Sequence, residues 1–486
     1  MVLVFGKAHG LMRQDAESTS RERIPLFAWL LNLVYVALLA AFSPVILFRI
    51  VARGKYRTGW SQKLLGRVPP RDGDRSCLWF HAVSVGEVLQ LEPLLEALSQ
   101  HDPRLEFVIS TTTPTGYDVA MKRYPGRKII YFPLDFSWAV NAALARINPT
   151  AIVLVELELW PNFVFAAARR SIPIVLVNGR ISERSFRGYR RILPLMRAIL
   201  KKISVLAVQS DAYAWRLIDL GADPARIHVT GSIKFDRVET DRDNPRTAAL
   251  RRLFGLQEAE QRVFIAGSTQ APEERYALET YLQLLPQFPD LRLVLVPRHK
   301  ERFDEVAKLV TDEFKLPLIR RSHISIDAPE SSPSPRAGTA MMSGGPRGSA
   351  LPSVILLDTL GELSACWGLA DIAFVGGSLT TRGGQNMIEP AGYGAAVLIG
   401  PNTWNFKDVV ELLLSHEAAL VVNSAAELTA KLNNLLTDSA RAADLGNRGR
   451  KIVTAQRGAT SRTVELIRKE FPGCQDSGAS PEFRAA

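Results

Sequence analysis

Three glutamates follow apolar runs that have the composition of buried strands. Glu87 lies in HAVSVGEV, where the run CLWFHAV gives way to a helical pattern, and Glu156 and Glu158 lie in VELELWPN, at the end of the run AIVLVE. The carboxyl ends of parallel strands border the ligand crevice of an open α/β sheet, so these carboxylates are expected where substrates bind. An unpaired buried carboxylate is costly. Glu156 and Glu158 should therefore either face a wet cleft or pair with arginines such as Arg180 or Arg184.

The position of Glu87 by itself supports two interpretations equally. At a strand end it can face a substrate, and in the first turn of a helix it can simply complement the helix dipole.

A glycine-rich turn between residues 374 and 390, FVGGSLTTRGGQNMIEP, has the features of an anion site. Gly376 and Gly377 allow backbone N–H groups to approach an anion, and the helix start that follows favours negative charge. Glu389 lies close enough in the sequence to accept hydroxyl hydrogen bonds from a ribose. The charge of a leaving group would be met by cations and backbone dipoles, the cations being Arg298, Lys234 and Arg382.

Several common activities are disfavoured by motifs that the sequence lacks. It contains no G-x-G-x-x-G, no G-x-x-x-x-G-K-[ST] and no G-x-S-x-G, which weakens dehydrogenase, P-loop NTPase and serine hydrolase assignments. No His, Cys and Asp cluster has metal-ligand spacing, so no metal is expected. Cys77, Cys366 and Cys474 are too far apart for a disulfide framework or a zinc ribbon, which favours a reducing compartment.

The elements that would position these residues alternate between short apolar runs and helical patterns. Continuous runs rich in Val and Ile are typical of buried parallel strands. The predicted strands lie at 77–83, 106–111, 128–132, 151–156, 172–178 and 203–208, and then at 262–268, 291–297, 353–359, 371–377, 395–400 and 418–423. Strand and helix in alternation imply a doubly wound sheet, so we expect an α/β protein of two Rossmann-like domains with a cleft between them.

Composition agrees with two or more packed cores. The chain has 486 residues, 47% of them hydrophobic and 22% charged, which is globular and too long for one core. The predicted divisions are a polar segment 1–23, a membrane helix 24–48, a first domain 49–235, a linker 236–250, a second domain 251–471 with a mobile insertion 320–353, and a disordered tail 472–486.

The predicted membrane helix is the 25-residue stretch without charge, IPLFAWLLNLVYVALLAAFSPVILF. At about 1.5 Å per residue it is long enough to span or insert deeply into a bilayer. Residues 49–75 carry eight Lys and Arg against two Asp, so +6 of the net charge of +11 follows this stretch. This distribution favours an anionic membrane over nucleic acid as partner, with the domains on the cytoplasmic face.

Taken together, the motifs resemble those of the Kdo transferases, which attach 3-deoxy-D-manno-octulosonic acid (Kdo) to lipid A precursors. The matching strings run in family order from about residue 55 to 460: WFHAVSVGE, STTTPTGYDVA, YFPLDF, VELELWPN, VNGRISERS, GSIKFD, AGST, VPRH, DTLGEL, FVGGSL and GGQNMIEP.

The resemblance implies a GT-B fold and an inverting transfer of Kdo from CMP-Kdo to lipid IVA at the inner membrane, without a cofactor or metal. It implies that Glu87 is the general base and that Glu156 and Glu158 are functionally important. It also implies that CMP is held by residues of the second domain, namely Ser268, Arg298, Gly376, Gly377, Asn386 and Glu389. Lys234 would lie at the interdomain edge, and Arg382 is a second candidate for the phosphate.

The sequence departs from the family pattern at two points near the expected CMP site. Gln385 stands where the family commonly has His, and Gln270 and Ala271 follow GST where the family usually has His or Glu and then Gly. These departures bear on donor affinity. Two rival functions are a GT-B enzyme that uses a UDP-sugar on a lipid acceptor, and a membrane-tethered two-lobed binding protein without turnover.

Overall fold

The computed structural model describes residues 26–53, 58–256, 261–324 and 353–471. The chain forms two compact units, residues 1–228 with 466–486 and residues 229–465. The predicted polar segment 1–23 and tail 472–486 lie outside the described residues, as does most of the predicted insertion.

The first unit is built on a seven-stranded sheet in the order β3-β2-β1-β4-β5-β6-β7, in which the pairs from β3 to β6 are parallel. The strands are β1 (Cys77–His81), β2 (Glu106–Thr111), β3 (Lys128–Tyr131), β4 (Ala151–Val155), β5 (Ile174–Gly179), β6 (Val205–Val208) and β7 (Ile227–Val229). The strand order reverses between β1 and β4, so the crevice for ligands is expected at their carboxyl ends.

Nine α-helices belong to the described part of this unit. They are α1 (Leu26–Arg53), α2 (Trp60–Leu65), α3 (Val85–His101), α4 (Pro114–Arg123), α5 (Ser137–Ile147), α6 (Pro161–Arg169), α7 (Glu183–Arg190), α8 (Leu193–Leu200) and α9 (Asp211–Asp219). The central strands β1, β4 and β5 are buried along their whole length, which explains their continuous apolar runs.

Helix α1 covers residues 26–48 of the predicted membrane stretch and packs one side against the rest of the first unit. The Asn32 amide donates to the Ser137 hydroxyl at 2.8 Å and its oxygen accepts the Ser137 N–H at 3.0 Å. The Tyr35 hydroxyl donates to Asp135 at 3.0 Å. Over the part of the chain that the structure describes, no helix combines the length and apolarity needed to cross a membrane.

The second unit is built on another seven-stranded parallel sheet, in the order β10-β11-β9-β8-β12-β13-β14. Its strands are β8 (Arg262–Thr269), β9 (Leu291–Pro297), β10 (Leu318–Arg320), β11 (Val354–Leu356), β12 (Ile372–Val375), β13 (Ala396–Ile399) and β14 (Ala419–Val421). Its helices are α10 (Pro245–Leu253), α11 (Glu273–Leu284), α12 (Phe303–Lys308), α13 (Leu363–Cys366), α14 (Ile388–Gly392), α15 (Lys407–Ser415), α16 (Ala425–Thr437) and α17 (Ser439–Gln456). Helix α18 (Ala459–Glu470) begins in this unit, and its residues from 466 on belong to the first unit. The strand order reverses between β8 and β12.

The predicted architecture of two Rossmann-like domains is confirmed, and all twelve predicted strands are present. Two three-residue strands, β7 and β10, escaped prediction because their sequences, IHV and LIR, are too short and too polar to form an apolar run.

The predicted linker 236–250 is wrong, because this segment is packed into the second unit. Asp236 accepts the N–H groups of Gly458 and Ala459 at 2.7 and 3.2 Å. Arg242 donates to the Tyr393 carbonyl at 2.9 Å, and the Asn244 side chain caps α10. The polar side chains that suggest a linker therefore serve to bond to backbone groups of the second unit.

The predicted insertion also begins too early. Arg320 ends β10 and pairs with Asp358 at 2.7 Å, while the Ser322 N–H donates to the same carboxylate at 2.8 Å. Residues 325–352 of the predicted insertion lie outside the described residues.

Candidate active site

Glu87 occupies the first turn of α3, directly after β1. Its Oε2 accepts the Val83 N–H at 2.9 Å, and its Oε1 accepts the Ser84 N–H at 3.2 Å and the Ser84 hydroxyl at 2.7 Å. Ser84 in turn accepts the Glu87 N–H, which completes a capping box. The helix-capping interpretation of Glu87 is therefore correct.

Capping does not use the whole carboxylate of Glu87. A carboxylate has about four acceptor positions, and the described residues fill three of them. The position that remains is on Oε2. Glu87 can therefore hold the helix start and still accept a hydrogen bond from a hydroxyl group.

Glu156 and Glu158 follow β4, the strand next to β1 at the switch point. Glu156 has a left-handed backbone, φ +59°, and its carboxylate pairs with Arg180 Nε at 3.2 Å. The predicted pairing with Arg180 is confirmed. A non-glycine residue in this conformation is strained, and such strain is concentrated at functional sites.

Glu158 is the carboxylate with the unusual acidity. The pKa of Glu158 is raised to about 7, first by burial and then by the negative charge of Glu87, while a hydrogen bond from the Trp160 indole at 3.1 Å opposes the shift. Glu87 and Glu158, which the sequence separates by 71 residues, therefore lie close enough at the switch point for the charge of one to act on the other. Glu158 can gain or lose a proton near neutral pH.

In the second unit, a buried glutamate, Glu273, joins the loops that follow β8 and β12. One of its oxygens accepts the N–H groups of Gln270 and Gly377 at 2.9 and 2.7 Å, and the other accepts those of Ser378 and Leu379 at 3.1 and 3.0 Å. Burial raises the pKa of Glu273, although the N–H groups of Gly377, Gln270 and Leu379 oppose the shift.

This arrangement corrects the anion role predicted for the glycine-rich turn. The N–H of Gly377 bonds to Glu273, and that of Gly376 bonds to the Gly267 carbonyl at 2.9 Å, so neither is directed at a ligand. Gly376 is needed for close packing, because a Cβ there would lie 2.5 Å from the Thr269 Cα.

The remaining predicted donor residues surround the same strand ends. Ser268, with φ +54°, is at the end of β8, and Arg298 follows β9 with an exposed side chain. The Asn386 amide donates to Glu389 at 2.9 Å, and burial raises the pKa of Glu389. Glu389 is bonded by both the Asn386 amide and the Ser364 hydroxyl, so a ribose hydroxyl would share its carboxylate with these partners.

The two departures from the family pattern lie on either side of Gly377. The side-chain nitrogens of Gln385 and Gln270 lie 3.3 and 3.5 Å from the point where a Cβ of Gly377 would be. Both glutamines therefore border the loop that Glu273 organises.

The predicted cations differ in their surroundings. The Nζ of Lys234 lies 5.9 Å from the centre of the Phe406 ring. Arg382 is exposed on a loop, and its backbone carbonyl accepts a hydrogen bond from the Asn405 side-chain amide at 2.9 Å. Within the described ranges, no group of three or more His, Cys, Asp or Glu side chains has the arrangement of a metal site.

Sequence reasoning missed Glu273. The segment AGSTQAPEER places Glu273 in the first turn of a helix, and nothing local in it indicates a bond to another loop. Its contact with residues more than 100 positions away is a product of the strand order, which periodicity does not give.

Comparison with known proteins identifies the family. The family described as 3-deoxy-D-manno-octulosonic-acid transferase (kdotransferase) matches residues 55–237. A 3-deoxy-D-manno-octulosonic acid transferase from Haemophilus influenzae is 33% identical over 445 residues, which is 89% of this chain and 97% of that protein. The chain therefore belongs to the Kdo transferase family, and it is a glycosyltransferase.

Solved structures agree with the fold. The match to UDP-GlcNAc 2-epimerase from Neisseria meningitidis, bound to UDP-GlcNAc, covers 81% of this chain and 100% of the epimerase chain. Its TM-score is 0.50 and the sequence identity is 12%. The predicted GT-B class is confirmed. The C-terminal CMP-Kdo binding domain of WaaA from Acinetobacter baumannii is 29% identical and covers 43% of this chain, with a TM-score of 0.35.

We expect Glu273→Gln to lower the free energy of unfolding by about 2–4 kcal/mol, because a buried amide leaves some of the four N–H groups without an acceptor. Urea unfolding followed by fluorescence measures this. Glu279→Gln, on the same helix, is the control and should change stability by less than about 0.5 kcal/mol. Equal stability of the two variants would contradict the role given to Glu273.

Proposed function

We propose that the protein transfers Kdo from CMP-Kdo to lipid IVA, with inversion, in lipopolysaccharide biosynthesis. Membership of the Kdo transferase family supports the transferred sugar. The observation that carries the chemistry is that Glu87 and Glu158 follow the two strands at the switch point of the first sheet, where the charge of Glu87 acts on Glu158.

In this proposal Glu87 accepts the proton of the acceptor hydroxyl. The hydroxyl oxygen attacks the anomeric carbon of Kdo, and the bond from that carbon to the CMP phosphate oxygen breaks on the opposite face. The proton is then bound to the carboxylate pair, and the electron pair of the broken bond leaves with CMP. The acceptor position left on Glu87 Oε2 supports its role as the base.

An ionised Glu158 would supply the second carboxylate of the pair that holds the proton taken from the acceptor hydroxyl. Glu156 would act through Arg180 and hold the turn after β4 in place. Of the two glutamates in ELELWPN, Glu158 is therefore the one with a direct part in the proton transfer.

The donor would be held in the second unit. Glu389 and Asn386 would accept and donate hydrogen bonds to the ribose, with Ser268 and the backbone of the loop around Gly376 and Gly377 lining the nucleotide. The departing phosphate would meet Arg298, Lys234 or Arg382. The N–H groups at 377–379 would contribute by shaping the loop, since they bond to Glu273. Transfer without a metal stays a prediction.

The direct test is to incubate the purified protein with CMP-Kdo and lipid IVA and to analyse the lipid product by mass spectrometry. We expect a mass increase by one or more Kdo units and release of CMP. CMP, and not UDP, should raise the melting temperature. Thermal stabilisation by UDP, with no Kdo on the lipid, would favour the rival UDP-sugar transferase, and ligand binding without CMP release would favour the binding protein.

The pH dependence of transfer tests the carboxylate pair. We expect kcat/KM to rise with pH through about 7 as Glu158 loses its proton. Glu158→Gln should remove this rise of kcat/KM with pH, the rising limb of the pH profile. Glu87→Gln should lower kcat about 100-fold or more and move any rising limb that remains to lower pH, since the charge beside Glu158 is gone. Asp118→Asn, an exposed carboxylate on α4, is the control. An unchanged limb in both glutamine variants would refute the pairing.

We also propose that α1 attaches the protein to the cytoplasmic face of the inner membrane. Large apolar side chains of α1 are exposed, Trp29 by 57%, Leu33 by 66% and Phe42 by 58%. Exposed apolar patches of this kind are typical of membrane or protein contacts, and the basic residues after α1 favour an anionic membrane.

Replacing Trp29 and Leu33 by Asp should move most of the protein from the membrane fraction to the supernatant after cell lysis. Trp215→Asp provides the control, because Trp215 on α9 is 68% exposed and lies in the same unit. If the double variant sediments with membranes as fully as the control, α1 is not the attachment site.

A further inference from the structure

The segment from Arg180 to Arg191 is strongly basic. It carries five arginines against one acidic residue, Glu183, for a net charge of +4. Most of it forms α7, which has no buried residue. Packing in the core therefore does not explain the arginines, and their charge is presented to solvent.

Three of these arginines form a stripe on the outer side of α7. Phe186 and Tyr189 are half-buried and pack against the core of the first unit. At about 100° per residue, Arg184, Arg187 and Arg191 project from the opposite side. Arg191 keeps helical backbone angles after α7 ends, with φ −69° and ψ −23°, so it continues the stripe.

The helix that carries this stripe is held firmly. Arg216 donates to the Ile181 carbonyl at 2.7 Å and pairs with Glu183 at 3.2 Å. The Ser182 hydroxyl caps the start of α7 by accepting the Ser185 N–H at 3.1 Å. The three outer arginines are thus displayed on a fixed scaffold, as a recognition surface requires.

The helix that carries the stripe lies next to the carboxylates at the switch point, with the stripe on its far side. α7 begins four residues after β5, and β5 pairs with β4, with Val177 opposite Val155. Arg180, in the turn between β5 and α7, pairs with Glu156 at 3.2 Å. The charge of Glu158 contributes to the raised pKa of Tyr189, which agrees with the inner side of α7 facing the carboxylates.

Charge explains why such a stripe is useful beside this site. An acceptor that carries phosphate groups is repelled by Glu87, Glu156 and Glu158, and a fixed row of guanidinium groups offsets that repulsion. Arginine binds phosphate through two parallel N–H donors, which orients as well as attracts it. Within the stripe Arg187 pairs with Glu183 at 3.2 Å, while Arg184 and Arg191 are exposed. Like charges three or four residues apart on one helix face destabilise the helix, which a bound anion would offset.

We propose that Arg184, Arg187 and Arg191 bind a phosphate group of the acceptor headgroup and so direct its hydroxyl toward the carboxylate pair. This inference rests on the proposed function, which supplies a phosphorylated acceptor. It assigns the recognition of that phosphate to α7 and makes the three arginines positioning residues.

The test compares the wild-type protein with the Arg184→Gln/Arg187→Gln/Arg191→Gln variant in neutral detergent micelles, without anionic lipid. Each is assayed with lipid IVA and with the same tetraacylated disaccharide after removal of both phosphates. For lipid IVA we expect the variant to raise the acceptor KM about 10- to 100-fold, with kcat and the KM for CMP-Kdo within about twofold. For the dephosphorylated acceptor, variant and wild type should have the same KM.

A matched control carries the same change of charge elsewhere on the first unit. Arg104, Arg123 and Arg146 are exposed and lie outside the segment around α7. Their triple replacement by Gln should leave the KM for lipid IVA within about twofold. Replacing the α7 arginines by Lys should restore part of the affinity, since lysine keeps the charge but loses the paired donors.

Three results would overturn the inference. They are an equal rise in KM for both acceptors, an equal rise in the control variant, and an unchanged KM in the α7 variant. If the α7 variant instead loses binding to anionic phosphatidylglycerol vesicles while its KM in micelles is unchanged, the stripe serves the bulk membrane and the proposal is wrong.

Failure of the proposed function is separable from failure of this inference. If the wild-type protein transfers no Kdo, the proposed function fails, and the binding of the two acceptors to wild type and variant is measured directly by fluorescence titration. Weaker binding of the phosphorylated acceptor alone by the α7 variant still supports the stripe. Equal binding contradicts it.

Discussion

The electrostatic repulsion between Glu87 and Glu158 is the interaction on which this account of the first unit depends. Each carboxylate is explained separately, Glu87 by its three donors and Glu158 by burial beside Trp160. Burial, and after it the negative charge of Glu87, makes Glu158 protonatable near pH 7. A fold that brings two carboxylates to adjacent strand ends provides a proton acceptor without a histidine or a metal in that part.

A buried carboxylate also organises the switch point of the second sheet, but by a different route. Glu87 bonds to N–H groups of its own helix start, whereas Glu273 bonds across two loops that are distant in sequence. The N–H groups that would otherwise attract an external anion are satisfied internally. The loop after β12 is consequently shaped before any ligand arrives, and a donor phosphate must rely on side chains.

Much of this organisation could be predicted from the sequence because parallel sheets have a strong local signature. The runs at β1, β4, β8 and β12 are buried on both faces and therefore continuous, so their ends could be identified, and with them the glutamates after β1, β4 and β12. What escaped prediction was set by contacts distant in sequence. The composition of the polar stretch before α10 indicates a linker, but Asp236 and Arg242 bond to backbone groups more than 100 residues away. The position of Glu273 indicates only a residue that complements a helix dipole, but the strand order places Gly377 beside it.

The same limit applies to the choice between Glu156 and Glu158, which are equivalent in the sequence VELELWPN. Only the fold shows that Arg180 neutralises the first and that Glu87 acts on the second. The most direct test of this account is a carbon-13 NMR titration of the protein with labelled glutamate carboxyl groups, with the Glu158 signal assigned from Glu158→Gln. We predict a pKa of about 7 for Glu158 that falls in Glu87→Gln. An ordinary pKa of about 4.3 in both proteins would contradict the central claim.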